Sequence, residues 1–396
     1  MIMTSSQELL LRGSIDIFPE VSDLLELTEK PLRIKLGIDP TSPDIHLGHS
    51  ILFRKLRAFQ DAGHTAVLII GDFTAQIGDP TGKNITRVQL TAEQVKANAK
   101  TYLTQLGQNS SSSTSLLDFD TPGRLEIHYN SEWLEKLSLT QMVKLMSIST
   151  VGQMLAKDDF ANRHSNGNPI ALHEFLYPLL QGYDSLMVNA DVELGGTDQK
   201  FNVAMGRDVQ RHFGQTPQFG LLMPILPGLD GVQKMSKSLG NTVNLTEDAL
   251  SMYSKLEKVP DTVVNEYLTL LTNIDLATLP ESLRERQKVM ALAITTSHHG
   301  EDEAKSAQLN SLNLVSSVEE DISTIYLDEM DFPIEAHSLL TSFGICSSTQ
   351  NAFRQILAGG VRMNDEQITN PHRQFMNYDE LREGILQLGK NKVRLY

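Results

Sequence analysis

The sequence predicts an α/β protein with one large domain built on a mostly parallel sheet, followed by two smaller parts. Between Pro31 and about Gly240, short β-branched runs alternate with longer helical stretches, which is typical of a parallel sheet covered by helices. From Thr246, the predicted cap of the next helix, the apolar spacing is helical, with helix breakers at Pro260 and Pro280. The chain has 396 residues, enough for two or three domains of about 150 residues each.

The predicted sheet begins with two strands that end in polar loops. Arg33 to Ile38 is a predicted buried strand that ends at an Asp-Pro turn, and a helix follows from about Leu47. A second strand is predicted from Thr65 to Gly71, and the glycine-rich segment GDFTAQIGDPTGK closes it. In open α/β sheets, ligands bind beyond the carboxyl ends of the strands, so we expect the chemistry at both loops.

Four further segments complete the expected layout. Glu126–His128 is a predicted short strand, and the Met-rich stretch Gln141–Leu155 is a predicted helix typical of a core or subunit interface. A helix is also expected over Leu283–Ser297. Between Lys305 and Arg354 there is no Lys or Arg while acidic residues accumulate, which indicates a linker or an acidic helix between domains.

The composition limits the classes of partner and site. Lys and Arg number 34 and Asp and Glu number 49, so the net charge is −15 and most of the surface repels phosphates. A nucleic acid must therefore contact locally basic patches, and residues 351–396 offer one, with seven basic and five acidic side chains. The single cysteine, Cys346, excludes an intrachain disulfide and metal sites built from several thiolates.

The amino terminus and the apolar runs favour a cytoplasmic protein. The opening MIMTSSQELLLRGS lacks the charged start, long apolar stretch and small-residue cleavage site of a secretory signal. The apolar runs fall far short of the roughly 18 residues that a membrane-spanning helix needs. We therefore expect a cytoplasmic location and no membrane partner.

The segment His46-Leu47-Gly48-His49 enters the first predicted helix. Positions i and i+3 share a helix face, so both imidazoles can point the same way, beside the free backbone amides of the helix start. This arrangement suits a phosphate, and Gly48 would let an adenine or a ribose approach the backbone closely. Two hydrogen-bonded surface histidines, or a fragment of a metal site, are the alternatives.

A second motif, Lys234-Met235-Ser236-Lys237-Ser238, lies in a loop framed by Gly and Pro. Two lysines three residues apart can close over a triphosphate. A mobile clamp accelerates a reaction when it binds the transition state more tightly than bound ATP. An isolated lysine pair is more often a solvated loop, but its combination with the histidine motif favours nucleotide binding.

The two motifs are similar to the HIGH and KMSKS motifs of the class I aminoacyl-tRNA synthetases. Four segments resemble the tyrosyl-tRNA synthetase series in order and spacing: KLGIDPTSPDIHLGH (35–49), IGDPTGK (77–83), YPLLQGYD (177–184) and LGGTDQ (194–199). The resemblance covers essentially the whole chain and implies a homodimer of three-domain subunits. The implied domains are a Rossmann-like catalytic domain with an inserted dimerisation segment (1–245), an all-α anticodon-binding domain (246–332) and a small α+β, alpha-L type RNA-binding domain (333–396).

The resemblance also implies a two-step reaction on ATP, tyrosine and tRNA. Tyrosine is activated to tyrosyl-adenylate, and the tyrosyl group is then transferred to the 3′ end of tRNA(Tyr); Mg²⁺ enters with ATP, without a dedicated protein metal site. The implied catalytic residues are His46, His49, Lys234, Lys237 and Thr41. The residues implied for ATP binding are Asp39, Gly48, Asp198, Lys234, Met235, Lys237 and, for the leaving pyrophosphate, Lys83 and Arg87.

A tyrosine pocket is implied along one helix face. Tyr177, Gln181 and Asp184 are spaced i, i+4 and i+7, which places them in one row. By resemblance, Asp184 accepts the phenol hydroxyl of the substrate, and the ammonium group contacts Tyr177, Gln181 and Asp79. The whole implied pocket consists of Thr74, Asp79, Tyr177, Gln181, Asp184 and Gln199. A phenylalanine ring would leave the Asp184 carboxylate unpaired, which is a physical reason for its rejection.

One position departs from the family pattern. The family often has a tyrosine four residues before the Asp-Pro pair, where it helps to bind the substrate hydroxyl, and this chain has Lys35 there. A lysine cannot accept a hydrogen bond and requires a carboxylate or water beside it. We expect Lys35 to pair with Glu193 or Asp184 and to orient the phenol contact indirectly.

The basic tail resembles an RNA-binding module. It has a predicted helix with Arg354, then a Gly359-Gly360 turn and a basic hairpin, so Arg354, Arg362 and Arg373 are expected to face phosphates. A small docking domain is the alternative.

Three other functions remain open on the sequence. Another nucleotidyltransferase with an HxGH motif would explain residues 40–49 but gives no role to the tail. A tryptophan-specific relative is closer, although Tyr177 and Asp184 suit an indole poorly. A synthetase-derived RNA-binding or regulatory protein would have no need to keep both the histidine and the lysine motif.

Overall fold

The computed structural model describes residues 5–81, 90–108, 114–320, 323–325, 327, 332–364, 366–388 and 391–396. The chain forms two compact units, Met1–Leu309 and Asn310–Tyr396. Within the described residues, no helix combines the length and the apolar character needed to cross a membrane.

A six-stranded sheet organises the first unit. Its strands are β1 (Asp16–Phe18), β2 (Arg33–Ile38), β3 (Thr65–Ile70), β4 (Leu125–Tyr129), β5 (Val192–Gly196) and β6 (Phe219–Met223). The spatial order is β1-β6-β5-β2-β3-β4, and all neighbours pair in parallel except β1, which runs antiparallel to β6. The sheet is therefore the mostly parallel one that the sequence predicts.

Strand β3 shows why the strands of a parallel sheet covered on both faces are continuously apolar. Its residues Ala66, Leu68 and Ile70 belong to the large core on one face of the sheet. The intervening Val67 and Ile69 pack on the opposite face with Val188 and Ala190. Because both faces are covered, both sets of alternating side chains must be apolar.

Helices cover the sheet and extend the first unit beyond it. They are α1 (Ser5–Leu11), α2 (Val21–Leu27), α3 (Leu47–Asp61), α4 (Thr74–Ile77), α5 (Ala92–Gln105), α6 (Ser131–Leu134), α7 (Leu139–Met146), α8 (Val151–Met154), α9 (Asp158–Ser165), α10 (Leu176–Met187), α11 (Lys200–His212), α12 (Ala249–Leu256), α13 (Asp261–Leu271) and α14 (Leu283–His299). Helix α15 (Glu301–Glu320) begins in the first unit and ends in the second. Short 3₁₀ turns occupy Leu172–Phe175, Thr197–Gln199, Lys237–Leu239 and Leu276–Thr278. Buried residues of α12, α13 and α14 join the same core as β2 and β3.

Two predicted elements differ from the structure. The Met-rich stretch forms two helices instead of one, because Ser138 caps the start of α7 and Thr150 caps that of α8, each by accepting from a backbone amide three residues on. The cap predicted at Thr246 is wrong. Asp248 caps α12 instead, accepting from the Ser251 amide at 2.9 Å, where a carboxylate also interacts favourably with the helix dipole.

The second unit has its own α+β fold. Its strands are β7 (Ser323–Ile325), β8 (Ile334–Glu335), β9 (Val361–Met363), β10 (Glu366–Gln367), β11 (Gln374–Phe375), β12 (Ile385–Leu388) and β13 (Asn391–Leu395). They form a five-stranded sheet, β10-β9-β12-β13-β7, and a separate pair, β11-β8. Helices α16 (Ala336–Ser342) and α17 (Thr349–Leu357) and a 3₁₀ turn at Tyr378–Glu380 complete the unit. Its core includes Leu339, Ile356 and the buried Cys346.

Candidate active site

The two histidines of the HLGH segment lie together at the start of α3. His46 is the cap residue, and its backbone amide donates to His49 Nδ1 at 3.3 Å. The ring centroids are 3.9 Å apart, so the predicted shared orientation is confirmed. A Cβ at Gly48 would lie 3.0 Å from the His46 ring, which is a local reason for glycine at that position.

Both imidazoles are neutral at physiological pH. Burial, His49 and the Lys237 ammonium lower the pKa of His46 to about 2. Burial and Lys237 lower the pKa of His49 to about 4. Each neutral ring can therefore donate one N–H to an anion without carrying a charge itself.

The lysine loop contacts the segment that precedes the histidines. Lys237 Nζ donates to Ser42 Oγ at 3.0 Å and to the Asp44 carbonyl at 2.8 Å, and it lies 3.3 Å from the Asp44 carboxylate. Met235 is buried, and a Cβ at Gly48 would lie 3.6 Å from its Cβ. The two motifs are thus neighbours in space although they are far apart in the chain.

Asp39 links the segment that precedes the two histidines to the predicted amino-acid pocket. It follows β2, and its carboxylate accepts from Thr74 Oγ1 at 2.7 Å and from the Tyr177 hydroxyl at 2.8 Å. Burial raises the pKa of Asp39 to about 7. A Cβ at Gly71 would lie 1.9 Å from an Asp39 oxygen, so only glycine at the end of β3 leaves room for this carboxylate.

The predicted row of Tyr177, Gln181 and Asp184 lies on α10, and Asp184 is its member nearest the carboxyl end of the helix. The Asp184 side chain is 4% exposed and accepts from Trp133 Nε1 at 2.8 Å and from Asn130 Nδ2 at 3.1 Å. Burial raises the pKa of Asp184 to about 6, against the opposing charge of Lys35. The pocket therefore holds a carboxylate with two fixed donors and spare acceptor capacity for a third.

The remaining predicted pocket residues form one chain of hydrogen bonds. Gln199 Nε2 donates to Asp79 Oδ2 at 2.7 Å. Asn202 Nδ2 donates to both Gln199 Oε1 (2.9 Å) and Gln181 Oε1 (3.1 Å). Gln181 Nε2 in turn donates to Glu193 at 3.0 Å. The structure thus brings Asp79, Gln181 and Gln199 together, as the sequence predicts.

Comparison with known proteins agrees with this geometry. The family model of the class I tRNA synthetases (W and Y) matches residues 27–316. The chain belongs to this family. Among curated relatives, the tyrosine–tRNA ligases of Parasynechococcus marenigrum (strain WH8102) and Prochlorococcus marinus (strain MIT 9313) are 62% and 60% identical, each match covering 97% of this chain and 96% of the relative.

Solved structures show the same fold. A C-terminally truncated mitochondrial tyrosyl-tRNA synthetase from Aspergillus nidulans superposes with a TM-score of 0.67 at 25% identity, covering 79% of this chain and 94% of that chain. The tyrosyl-tRNA synthetase of Archaeoglobus fulgidus, solved with L-tyrosine, has a TM-score of 0.56 at 21% identity and covers 79% of this chain and 97% of that chain. This synthetase therefore has the predicted Rossmann-like catalytic fold.

Several other predicted residues lie around the two motifs. The backbone amide of Thr41, an exposed residue, donates to the Asp39 carbonyl at 2.8 Å. Burial raises the pKa of Asp198, and the nearby Lys234 ammonium opposes that rise. Lys83 and Arg87 lie outside the described residues.

Sequence reasoning missed Asn130, Trp133 and Lys157. Asn130 directly follows β4, so the rule that ligands bind beyond strand ends could have found it. Nothing in the sequence around Trp133 or Lys157 marks these residues as part of the site. Lys157 is buried and its Nζ donates to Thr81 Oγ1 at 2.9 Å, while Thr81 Oγ1 itself donates to Asp79 at 2.6 Å.

The predicted RNA-contacting arginines belong to the second unit. Arg354 lies on α17, Arg362 on β9 and Arg373 one residue before β11, and all three are exposed. The Arg373 guanidinium lies 5.2 Å from the centre of the Phe375 ring. The helix, the glycine turn and the hairpin predicted here are confirmed.

The same unit holds a carboxylate–imidazole cluster. Glu335, His337 and His372 place metal-ligating atoms within 4.8 Å of one another. A single Glu335 oxygen lies 2.7 Å from His337 Nε2 and 2.9 Å from His372 Nδ1. Because that oxygen bonds both imidazoles, direct hydrogen bonds account for the cluster.

Proposed function

We propose that the chain is a tyrosine–tRNA ligase that forms tyrosyl-adenylate from ATP and L-tyrosine and then esterifies tRNA(Tyr). Membership of the family supports this, together with curated relatives of that name at 56–62% identity over nearly the full chain. The observation that carries the proposal is the contact of Lys237 with Ser42 and Asp44, directly before the histidine pair. This contact brings the histidine segment and the lysine loop together as one triphosphate site. A buried pocket lined by carboxylates lies beside it.

Tyrosine recognition is assigned to the buried acceptors. Asp184, held by Asn130 and Trp133, accepts the phenol hydroxyl, and Tyr177, Gln181 and Asp79 hold the ammonium group. Thr74 completes the pocket through its bond to Asp39, which also accepts from Tyr177, and Gln199 completes it through its bond to Asp79. A phenylalanine ring would bury the Asp184 carboxylate without its third donor, which is unfavourable.

The activation step needs no protein nucleophile. The tyrosine carboxylate attacks the α-phosphorus of ATP in line, and pyrophosphate leaves. His46, His49 and the backbone amides near Thr41 donate to the phosphates as negative charge develops. Catalysis then rests on positioning and electrostatic stabilisation.

The other nucleotide contacts are assigned by position. Gly48, Asp39 and Asp198 face the nucleoside, Met235 packs beside Gly48, and Lys234 and Lys237 bind the β- and γ-phosphates. Mg²⁺ arrives with ATP. Lys83 and Arg87 hold the leaving pyrophosphate. Lys237 bonds to Ser42 and Asp44, so its binding to phosphate oxygens requires it to leave these partners.

Binding of tRNA is assigned to the carboxyl-terminal half. Residues 246–332 serve as the anticodon-binding domain, and residues 333–396 serve as an RNA-binding domain through Arg354, Arg362 and Arg373. Removal of residues 332–396 is expected to leave tyrosine-dependent ATP–pyrophosphate exchange unchanged and to lower tRNA charging by about tenfold or more. Loss of both activities would mean that the tail is structural.

A homodimer in the cytoplasm is the proposed working form. Leu139, Val143, Met146 and Val151 lie on or beside α7 and α8, and Leu139 is 80% and Val151 67% exposed. Large apolar side chains grouped on one surface favour a protein contact. We assign this surface to a second copy of the chain.

Amino-acid-dependent ATP–pyrophosphate exchange, measured with the full chain and each of the twenty amino acids, tests the function. Tyrosine alone is expected to support exchange. Exchange with tryptophan instead would establish the tryptophan-specific alternative. No exchange, with tRNA binding intact, would establish an RNA-binding protein without synthetase activity.

A further inference from the structure

Lys35 is a fully buried cation below the amino-acid pocket. Its side chain is 0% exposed, and Nζ donates to Glu193 Oε1 at 2.9 Å, to Ser185 Oγ at 2.7 Å and to the Gln181 carbonyl at 2.8 Å. All three N–H donors of the ammonium group are thus used. A buried ion pair adds little net stability compared with apolar residues of similar volume, so packing alone does not account for it.

Glu193, the partner of Lys35, accepts four hydrogen bonds. Lys35 and Gln181 donate to Oε1, whereas Ser185 and Gln218 donate to Oε2. An ionised carboxylate can only accept, so the Gln181 atom that faces Glu193 at 3.0 Å must be Nε2. Without the Lys35 ammonium, Glu193 Oε1 would lose its charged donor, and the carboxylate could turn away from Gln181.

The orientation of the Gln181 amide decides what it offers to a ligand. With Nε2 turned to Glu193, its Oε1 turns to Asn202. Gln199 is arranged in the same way, with Nε2 on Asp79 and Oε1 on Asn202. Two carboxylates thereby turn both amide oxygens toward Asn202 Nδ2, which donates to each of them. Each oxygen keeps a second lone pair, and oxygen acceptors are what an ammonium group requires.

We propose that Lys35 is a positioning residue for amino-acid binding: through Glu193 it fixes the Gln181 amide with its oxygen available to the ammonium group of tyrosine. The proposal rests on the proposed function, in which Gln181 contacts that group. It also assigns Lys35 to a different end of the substrate from the one expected on the sequence. The hydrogen bonds of Lys35 lead to Gln181, whereas those of the phenol acceptor Asp184 come from Asn130 and Trp133.

Two ligands that differ in the ammonium group test this role. Tyrosinol has the phenol and the ammonium group, and 3-(4-hydroxyphenyl)propionate has the phenol without the ammonium group. Lys35→Met is expected to weaken tyrosinol binding to the full chain at least about tenfold more than binding of the propionate, because both ligands lose the effect of the Lys35 charge on Asp184 and only tyrosinol loses the fixed Gln181 oxygen. Equal losses for both ligands, or no loss for tyrosinol, would overturn the proposal.

Two further variants keep the test independent of folding. Lys35→Met/Glu193→Gln removes both charges, and the new amide oxygen can still accept from Gln181, so tyrosinol binding should largely recover. Lys35→Gln keeps one N–H donor and should show a smaller selective loss if Lys35→Met does not fold. Failure of either expectation, with wild-type binding measured in parallel, counts against the positioning role.

Lys55 offers a matched control. It is also a buried lysine, 5% exposed, and its Nζ donates to the Leu10 and Arg12 carbonyls at 2.8 Å. Lys55→Met is expected to lower the melting temperature without changing the ratio of the two ligand affinities. A wild-type protein that bound neither ligand would refute the proposed function itself, whereas normal wild-type binding with equal losses in Lys35→Met would refute only the role of Lys35.

Discussion

The nucleotide motifs and the tyrosine pocket differ in how their residues are distributed along the chain and in how far these residues are buried. The nucleotide side consists of two short contiguous segments, and its lysines reach solvent: Lys234 is exposed and the Lys237 side chain is 30% exposed. The pocket takes single residues from many elements and buries them, as with Asp184 on α10 and Lys35 on β2. A triphosphate that must enter and leave requires cations that change partners, whereas a small amino acid is discriminated by acceptors that cannot move.

The largest expected effect lies on the nucleotide side. His49→Ala is expected to lower the rate of adenylate formation about 100- to 1000-fold, because a donor to the developing phosphate charge is lost. Tyrosine affinity, measured by equilibrium binding, should stay unchanged.

A second buried imidazole provides the control for this prediction. His64 is 2% exposed, and its Nδ1 accepts from the Leu32 amide at 3.2 Å. His64→Ala should lower the melting temperature and leave the activation rate within about twofold. Equal losses of rate and tyrosine affinity in His49→Ala would mean that the two regions are not separable as described.

A change in the pocket should affect selection more than chemistry. Asp184→Asn is expected to lower kcat/KM for tyrosine about 10- to 100-fold, because a charged acceptor is replaced by a neutral group that can also donate. Selection against phenylalanine should weaken in the same variant, as measured by pyrophosphate exchange with each amino acid. Asp191→Asn, which alters a carboxylate bonded to the Arg33 amide at 2.8 Å, is the control and should leave selection intact.

The kcat/KM for tyrosine should depend on pH through the carboxyl group of the pocket and not through the two histidines. Burial raises the pKa of Asp184 to about 6, so lowering the pH through 6 protonates the phenol acceptor and should reduce kcat/KM for tyrosine. His46 and His49, with pKa values of about 2 and 4, stay neutral over that range. The limb near pH 6 should disappear from the profile of Asp184→Asn, whereas a limb near pH 7 that belongs to Asp39, whose pKa burial raises to about 7, should stay. A limb near pH 6 in that variant would assign it to another group.

The smallest expected effect concerns the mobility of the lysine loop. Ser42→Ala removes one of the partners that Lys237 must leave, so the KM for ATP is expected to fall roughly two- to threefold with kcat unchanged. Steady-state kinetics with varied ATP measure this. A higher KM would show that Ser42 helps to hold the nucleotide instead of competing with it.

Prediction from the sequence succeeds where the relevant geometry is local. The strand Arg33–Ile38, the start of α3 behind His46 and the row on α10 depend on residue spacing within a few turns. The start of α12 was predicted at the wrong residue, because Thr246 and Asp248 are both good capping residues and only packing selects between them.

Contacts between distant segments were only partly predictable. Lys35 was expected to pair with Glu193 or Asp184, and the strand order places Glu193 opposite it in the β2–β5 pair. The bonds of Asn130 and Trp133 to Asp184 were not expected. The position of Asn130 directly after β4 could have indicated it, whereas nothing in the sequence near Trp133 marks it as a pocket residue.

The sequence by itself determined the chemical inventory of this protein: a histidine pair at a helix start, a lysine pair in a loop, a row of polar groups on one helix and a basic tail. These follow from short-range periodicity and from residue type. Only the tertiary structure decided which of them meet, and that Asp39 bonds Tyr177, that Lys237 reaches Ser42 and that Glu193 turns the Gln181 amide. The reason is physical. These partners are separated by 138, 195 and 12 positions, and they are selected by the order of strands in the sheet and by the need of buried polar groups for hydrogen-bond partners, neither of which follows from local residue spacing.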